Sequence, residues 1–217
     1  EAGCWSLQGS KAVSAGEGGV MTTDNVEVFE RACLVGQVNR IKGIDLVTER
    51  YQELQPLGLG MKFRAHPLGM GIALVQMEKL SALNERRRAY IEEVEKGLEH
   101  VPGLHPIRVY PGAVRAGFYG FPVIHEPSEM NGVPTEVFVD ALKRAGLSVE
   151  MRPYPNLHEL PLFGKGFDVF TRDRGPLSPK QGYKGYKRGD FPNAERAADR
   201  TIFLPRLSNP APHAAAT

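Results

Sequence analysis

Apolar residues recur along this chain with two rhythms, one of period two and one of period 3.6, separated by stretches with no period. Ala2 to Leu7, with Cys4, Trp5 and Leu7, reads as a strand, and Val20-Met21-Thr22-Thr23 as a second. The segment between them, residues 9–19, carries too much glycine and serine for a regular element. Asp24 or Asn25 can cap a helix in which Val28, Phe29, Ala32 and Val35 recur at helical spacing, ending near Gly36. Residues 37–66 lack a clean period and read mostly as loop. Between Pro67 and Gly97 the helical signal is strongest. Ala73, Met77, Leu80 and Leu83 lie on one stripe that Ile91, Val94 and Leu98 continue past the charged run Glu85 to Arg88. One long helix is expected, with a bend near Asn84 allowed and its Met and Leu stripe serving as core.

After Val101-Pro102-Gly103 the character changes. Ile107-Arg108-Val109, Phe118 to Ile124, Ser148 to Arg152 and Thr201 to Leu204 read as strands, and Thr135 to Ala145 as a helix capped near Pro134-Thr135. Strands, helix and strand in that order describe a small α+β unit. Residues 164–192 are rich in Gly, Pro, Lys and Arg and show no period, and the last residues, 208–217, read as a disordered tail.

Composition narrows the function classes. Of 217 residues, 41% are hydrophobic and 24% charged, as in ordinary globular proteins, and the formal net charge is only +2. That charge is too small to imply nucleic acid or an acidic membrane as partner. No apolar run reaches the length of a membrane span, and the N-terminus does not resemble a signal peptide. Two cysteines, Cys4 and Cys33, build neither a disulfide framework nor a four-cysteine site, so a reduced, cytoplasmic setting is expected. His66, His100, His105, His125 and His213 show no ligand spacing, and no metal is expected.

The chemistry concentrates around Lys11. A lysine used as a nucleophile toward a carbonyl must be held at a fixed distance and kept partly deprotonated. A strand-to-loop turn with small neighbours, Gly9 and Ser10, leaves such an amine open to a planar ligand. Ser6, five residues earlier, offers a hydroxyl to a phosphate, and Gly16, Gly18 and Gly19 let the backbone approach closely. The order of Gly, Lys and Ser does not match a Walker A loop. Read as chemistry alone, Lys11 is a surface lysine and the glycines a turn.

The whole string SLQGSKAVSAGEGGVMTTDN, however, resembles the active-site lysine segment of the DegT/DnrJ/EryC1/StrS aminotransferases. Serine, lysine, G-E-G-G and the strand ending T-D stand in the family's register. The resemblance continues in Gly60 to Pro67, similar to the family's G-x-N-x-R segment before a long helix. It extends to Phe138 to Leu147, to Tyr154-Pro155-Asn156-Leu157-His158 and to Thr201 to Pro205. It implies an α/β fold: the C-terminal part of a fold-type I aminotransferase large domain (residues 1–100, with the lysine loop and long helix) followed by a small α+β domain (101–207). It implies pyridoxal 5'-phosphate as cofactor, with Lys11 as its Schiff-base lysine and proton carrier, Ser6 on the phosphate and Gln8 against the cofactor. Lys62 stands where the family has Asn; it is expected either to bind a partner subunit's phosphate as a point charge or to be solvated. Arg64 is expected on a phosphate or substrate carboxylate, or in a structural ion pair, and His158 on the substrate, or packed.

The resemblance further implies a homodimer with shared sites, an amino-acid donor (glutamate or glutamine), and a keto-sugar or keto-cyclitol acceptor. Relatives that dehydrate or aromatise such substrates share the lysine motif. The family's pyridinium-pairing aspartate and stacking aromatic lie well before the lysine, whereas ten residues precede Lys11 here. The chain is therefore expected to be a fragment, inactive alone. A different class, a single-strand nucleic-acid module, would rest on Tyr183-Lys184-Gly185-Tyr186-Lys187-Arg188, where aromatics and cations interleave. One such cluster on a nearly neutral chain reads instead as a solvated loop.

Overall fold

A computed structural model describes residues 1–36, 46–115, 119–151, 154–168, 170–207 and 209–211. Phe118, Arg152, residues 37–45, His213 and the tail from 212 onward lie outside the described residues. The chain divides into two compact units, Glu1–Asn84 and Glu85–Thr217.

In the first unit, β1 (Ala2–Ser6) and β2 (Gly19–Thr23) form an antiparallel pair in which Ser6 faces Gly19 and Ala2 faces Thr23. Helix α1 (Val26–Gly36) follows; Asn25 caps it, its side-chain oxygen accepting the Val28 amide at 3.0 Å. Its apolar residues do not all turn inward. Leu34 is fully buried with Leu46 and Tyr51, but Val28, Phe29 and Ala32 of the expected stripe are exposed. The buried Glu30 takes the inward place instead, because its carboxylate accepts the Val47 and Thr48 amides and the Thr48 hydroxyl. The Thr48 hydroxyl is the largest cause holding this carboxyl below its ordinary range. A short helix, α2 (Glu49–Gln52), interrupts what reads as loop.

Helix α3 (Pro67–Leu98) is one continuous run of 32 residues. In the first unit Ala73 is buried, while Met77 is 56% exposed, so Met77 is not the core residue its stripe predicts. From Glu85 onward α3 belongs to the second unit, and Tyr90, Ile91, Val94 and Leu98 pack into that unit's core.

The second unit is a four-stranded antiparallel sheet in the order β3-β4-β6-β5, made of β3 (Leu104–Pro106), β4 (Phe121–His125), β5 (Glu150–Met151) and β6 (Thr201–Leu204). Along β4 every second residue is buried, so Phe121, Val123 and His125 face the core. There they meet Val139 of α4 (Thr135–Arg144), Val149 and Ile202, and Tyr90 sets its ring edge-on to Phe121 at 6.4 Å. His125 is satisfied inside: Nδ1 lies 3.0 Å from the Thr135 hydroxyl, and the ring stacks on Phe138 at 4.9 Å. Burial lowers its pKa, favouring the neutral ring. Strand β3 sits earlier than Ile107-Arg108-Val109. Pro106 has no amide to donate, so the ladder stops there, and Ile107 and Val109 are exposed.

Two short helices, α5 (Pro161–Lys165) and α6 (Pro192–Arg200), complete the unit. Helix α6 is not predicted from the sequence: its only apolar side chains past Pro192 are alanines, so it carries little periodic signal. The aperiodic stretch before it is tied by side chains. Asp168 accepts the Phe170, Thr171 and Gly175 amides and the Thr171 hydroxyl, which together bring its pKa to about 2, with the Thr171 hydroxyl the largest cause.

Strand β6 lies between β4 and β5, and Ile202 is fully buried at its centre. Ile202→Ala is expected to lower the unfolding free energy by about 2–5 kcal/mol, read from a urea titration of the chain. A loss within the scatter of surface substitutions would mean the sheet is not the core of this unit.

Candidate functional site

Lys11 stands on a loop closed at both ends by one residue. Leu7, just past β1, donates its amide to the Gly18 carbonyl at 2.9 Å and accepts the Ala15 amide on its own carbonyl at 2.8 Å. Its buried side chain clusters with Ala15 and Ala73, against Val13 and Met70. The loop also sits tightly on α3: a Cβ at Gly69 would come within 2.9 Å of the Ala15 carbonyl oxygen, so only glycine permits this approach. Gly16 (φ 84°) and Gly18 (φ 143°) turn the chain back into β2 through conformations other residues rarely adopt.

Within this frame Lys11 is half-buried, and its amide closes a turn onto the Gln8 carbonyl at 2.8 Å. Gln8, expected against the cofactor, also braces the loop. Its side-chain oxygen accepts both the Ser10 amide (2.8 Å) and the Ser10 hydroxyl (2.6 Å), so it fastens the turn that carries the lysine. Ser6 is exposed at the end of β1, its hydroxyl oxygen accepting the Gln8 amide at 3.3 Å and keeping its proton free to donate.

Lys62 and Arg64 lie in the same unit, on the exposed segment leading into α3. Backbone bonds hold that segment to the end of α1: Leu59 donates to Leu34 and Phe63 to Gly36, each at 2.9 Å. Gly36 lets the Phe63 ring approach closely, since a Cβ would lie 3.2 Å from it. Both side chains point into open surface and make no hydrogen bond or ion pair among the described residues. The structural ion pair weighed for Arg64 is thus not formed among them.

His158 belongs to the second unit and is buried. Its Nε2 lies 2.9 Å from Glu195 Oε1 and its ring packs on Phe191 at 4.9 Å. The same Glu195 oxygen accepts the Gly189 amide at 2.7 Å and the Phe191 amide at 3.4 Å. Burial is the largest single influence on Glu195 and raises its pKa, yet the Gly189 amide, His158 and the Phe191 amide together outweigh it, and the net shift is downward. Nε2 is thus committed to holding the 188–191 turn, while Tyr154 and Leu157 beside it are the outward-facing residues. Glu195 escapes a sequence reading because its helix does, and because its partner lies 37 positions away. His158, Glu159 and Glu195 have the donor atoms of a metal site within 4.8 Å of one another, but Arg188 already pairs with Glu159 at 3.0 Å and with Asp199 at 2.7 Å. The aromatics of the interleaved motif are likewise engaged. Tyr183 donates to the Phe163 carbonyl at 2.7 Å, and Tyr186 packs edge-on against Tyr183 and Phe191.

The chain belongs to the DegT/DnrJ/EryC1/StrS aminotransferase family, whose model matches residues 1–215. It is 29% identical over 208 residues to the L-glutamine:scyllo-inosose aminotransferase of Streptomyces griseus, covering 93% of this chain and 47% of that protein. Among solved structures it resembles the aminotransferase TlmJ from Streptoalloteichus hindustanus, with TM-score 0.69 and 21% identity over all of this chain and 49% of that one. It also resembles a GDP-4-keto-6-deoxymannose-3-dehydratase holding a trapped PLP-glutamate geminal diamine, with TM-score 0.65 and 17% identity over 95% of this chain and 50% of that one. The chain spans about half the length of the curated relatives it matches. The fold class is therefore the expected one, that of fold-type I aminotransferases, of which this chain covers about half. No described helix is long and apolar enough to cross a membrane.

The Glu195 arrangement has a pH signature. A carboxyl whose pKa is lowered on folding stabilises the fold above the ordinary carboxylate range, and that contribution is lost as the pH falls through its lowered value. Glu195→Gln is expected to melt several degrees below the wild type at neutral pH, with the gap closing as the pH is brought down to strongly acid values. Parallel melting curves at every pH would show that Glu195 holds nothing.

Proposed function

We propose that this chain is the lysine-bearing half of a pyridoxal-phosphate-dependent aminotransferase that moves an amino group from glutamine or glutamate to a keto-sugar or keto-cyclitol. The observation that carries the reading is the Lys11 loop, closed through Leu7 and seated on α3, in a chain of this family. The donor and the cyclitol class are supported by the name of the Streptomyces griseus relative, and the cofactor by the ligand in the dehydratase structure. In this reading residues 1–100 belong to the large domain and 101–207 form the small one.

When bound, pyridoxal phosphate supplies an electron sink for the carbon next to the transferred nitrogen. The chain's own residues do the rest. Ser6 would donate a hydrogen bond from its hydroxyl to the phosphate, and Gln8 holds Ser10 and so fastens the turn that carries Lys11. With pyridoxal phosphate bound, the Lys11 amine would hold it and would carry the proton between the substrate carbon and the cofactor carbon. Lys62 and Arg64 act in a homodimer: both stand exposed on a backbone-anchored segment, suited to reach the partner's phosphate and a substrate carboxylate. His158 positions the Tyr154 to Leu157 turn toward substrate through its bond to Glu195.

The exposed surface of the first unit supports the fragment reading. Trp5 (54% exposed), Phe29 and Val28 leave β1 and α1 uncovered on an apolar side, and a two-stranded ribbon is marginal by itself. The remainder of a large domain is the natural cover, and turnover is accordingly assigned to the longer protein.

That longer protein should be yellow, and borohydride should fix the cofactor covalently to the peptide containing Lys11. Lys11→Ala should lower turnover by about 10²–10⁴ while the fold persists. A colourless protein that retains Lys11 would sink the enzyme reading. Separately, Lys62→Ala should lose bound cofactor on dialysis faster than Lys79→Ala, a control on exposed α3 surface; equal retention removes Lys62 from the site.

A further inference from the structure

The aperiodic basic stretch 164–192 takes no part in the proposed reaction, and one loop of it is closed on itself. Its ends meet where Phe167 donates its amide to the Leu177 carbonyl at 3.1 Å, and a Cβ at Gly166 would overlap that same oxygen. Inside, Asp168 gathers the Phe170, Thr171 and Gly175 amides, and Ser178 donates its amide to the Gly175 carbonyl at 3.0 Å. Gly175 is buried, and a Cβ there would stand 2.8 Å from the Thr171 hydroxyl. The return turn passes through left-handed backbone at Arg172 (φ 54°) and Asp173 (φ 64°), a conformation uncommon outside glycine. A short loop closed at its base and filled with its own hydrogen bonds keeps its shape.

What this loop holds out is apolar. Phe170 is 93% exposed and Phe167 60% exposed. Both carboxylates of the loop are already engaged, Asp168 on the loop's own amides and Asp173 on Lys180 at 2.5 Å. Lys165, Arg172 and Arg174, by contrast, are exposed and have no ion-pair partner among the described residues. Arg174 spends one donor, Nε, on the Thr171 carbonyl at 3.1 Å and keeps the rest of its guanidinium for a partner. The net charge of +2 over the whole chain averages this local arrangement away.

Exposed rings flanked by unpaired cations fit a partner that is apolar within and anionic at its surface. A lipid layer is such a partner. Rings enter the boundary of the acyl chains, while Lys and Arg stems lie along them and set their charges among the phosphates. A single strand of nucleic acid instead stacks its bases on aromatics along a basic groove. A ring as exposed as Phe170 stands clear of any groove wall.

We propose that the loop 166–178 docks on an anionic membrane surface, with Phe167 and Phe170 entering the lipid and Lys165, Arg172 and Arg174 on the headgroup phosphates. The inference goes beyond the aminotransferase reading and does not rest on it, because it invokes neither Lys11 nor the cofactor.

Flotation of the 217-residue chain with vesicles tests it. Binding to vesicles of equal parts phosphatidylglycerol and phosphatidylcholine is expected to saturate and to weaken as salt is raised. Vesicles of phosphatidylcholine alone should bind about tenfold less tightly or worse. Phe170→Ser should weaken binding about tenfold, and Arg172→Asn and Arg174→Ser about fivefold each. Lys143→Ser, at an exposed cation on α4, should leave it unchanged. These positions are all exposed, so unchanged melting curves certify the variants. Trp5 is the chain's one tryptophan, so in a Trp5→Phe background Phe170→Trp reports on the loop alone. Its emission should shift to the blue on these vesicles and be quenched by brominated acyl chains. Binding left intact by Phe170→Ser and the arginine variants would belong to the apolar side of the first unit and would overturn the proposal. Equal binding to neutral vesicles, an unshifted emission, or capture of a single-stranded oligonucleotide in place of vesicles would do the same. The longer protein should float as well; if it stays off the vesicles, the loop is covered there and the proposal fails. Lys11→Ala should bind vesicles like the wild type, so the two readings fail separately.

Discussion

The candidate chemistry of this chain depends on one residue with no reactive group. Leu7 uses its amide on Gly18, its carbonyl on Ala15 and its side chain on Ala73, so both arms of the lysine loop and the first turns of α3 meet at a single position. A lysine on an exposed hairpin tip would sample many rotamers, and its amine would have no defined height above the strand. With the loop closed at Leu7 and tightened by the Gln8–Ser10 bonds, the Lys11 backbone has one place to be. That is the pre-organisation a covalent catalyst needs, supplied here by backbone hydrogen bonds and close packing at Gly69.

The second unit solves a related problem with charge. Its chain from Tyr154 to Arg200 has little regular structure, and the polar backbone of such a stretch must find partners. Buried or semi-buried carboxylates provide them: Glu195 gathers two amides and His158, and Asp168 gathers three amides and a hydroxyl. Glu30 does the same for residues 47 and 48 in the first unit. A carboxylate with several amide donors is a compact way to fix a loop without a strand or a disulfide. It also ties the geometry of these loops to pH on the acid side.

This recurrence explains why charged residues in a sequence of this kind are poor guides to function when taken singly. His158, which resembles a substrate-facing residue, sits buried on Glu195, whereas Lys62 and Arg64 stand exposed with no ion-pair partner among the described residues. The difference lies in which side chains already have partners.

Much of the architecture was legible in order along the chain. The β1–loop–β2 pair, α1 with its Asn25 cap, the long α3, α4 and the closing strand β6 all follow from local period and from turn or cap residues, because local backbone preference decides them. The register of Ser6, Lys11 and Gly16 to Gly19 likewise marked the loop and the family. What period could not decide was direction and partnership. The apolar face of α1 turns outward because Glu30 is drawn in by the amides at 47 and 48, β3 ends at Pro106 before the more strand-like Ile107, and α6 forms on alanines and charges with Glu195 inside. Each outcome depends on residues distant in sequence competing for the same buried amide or ring, and only the tertiary structure settles such a competition.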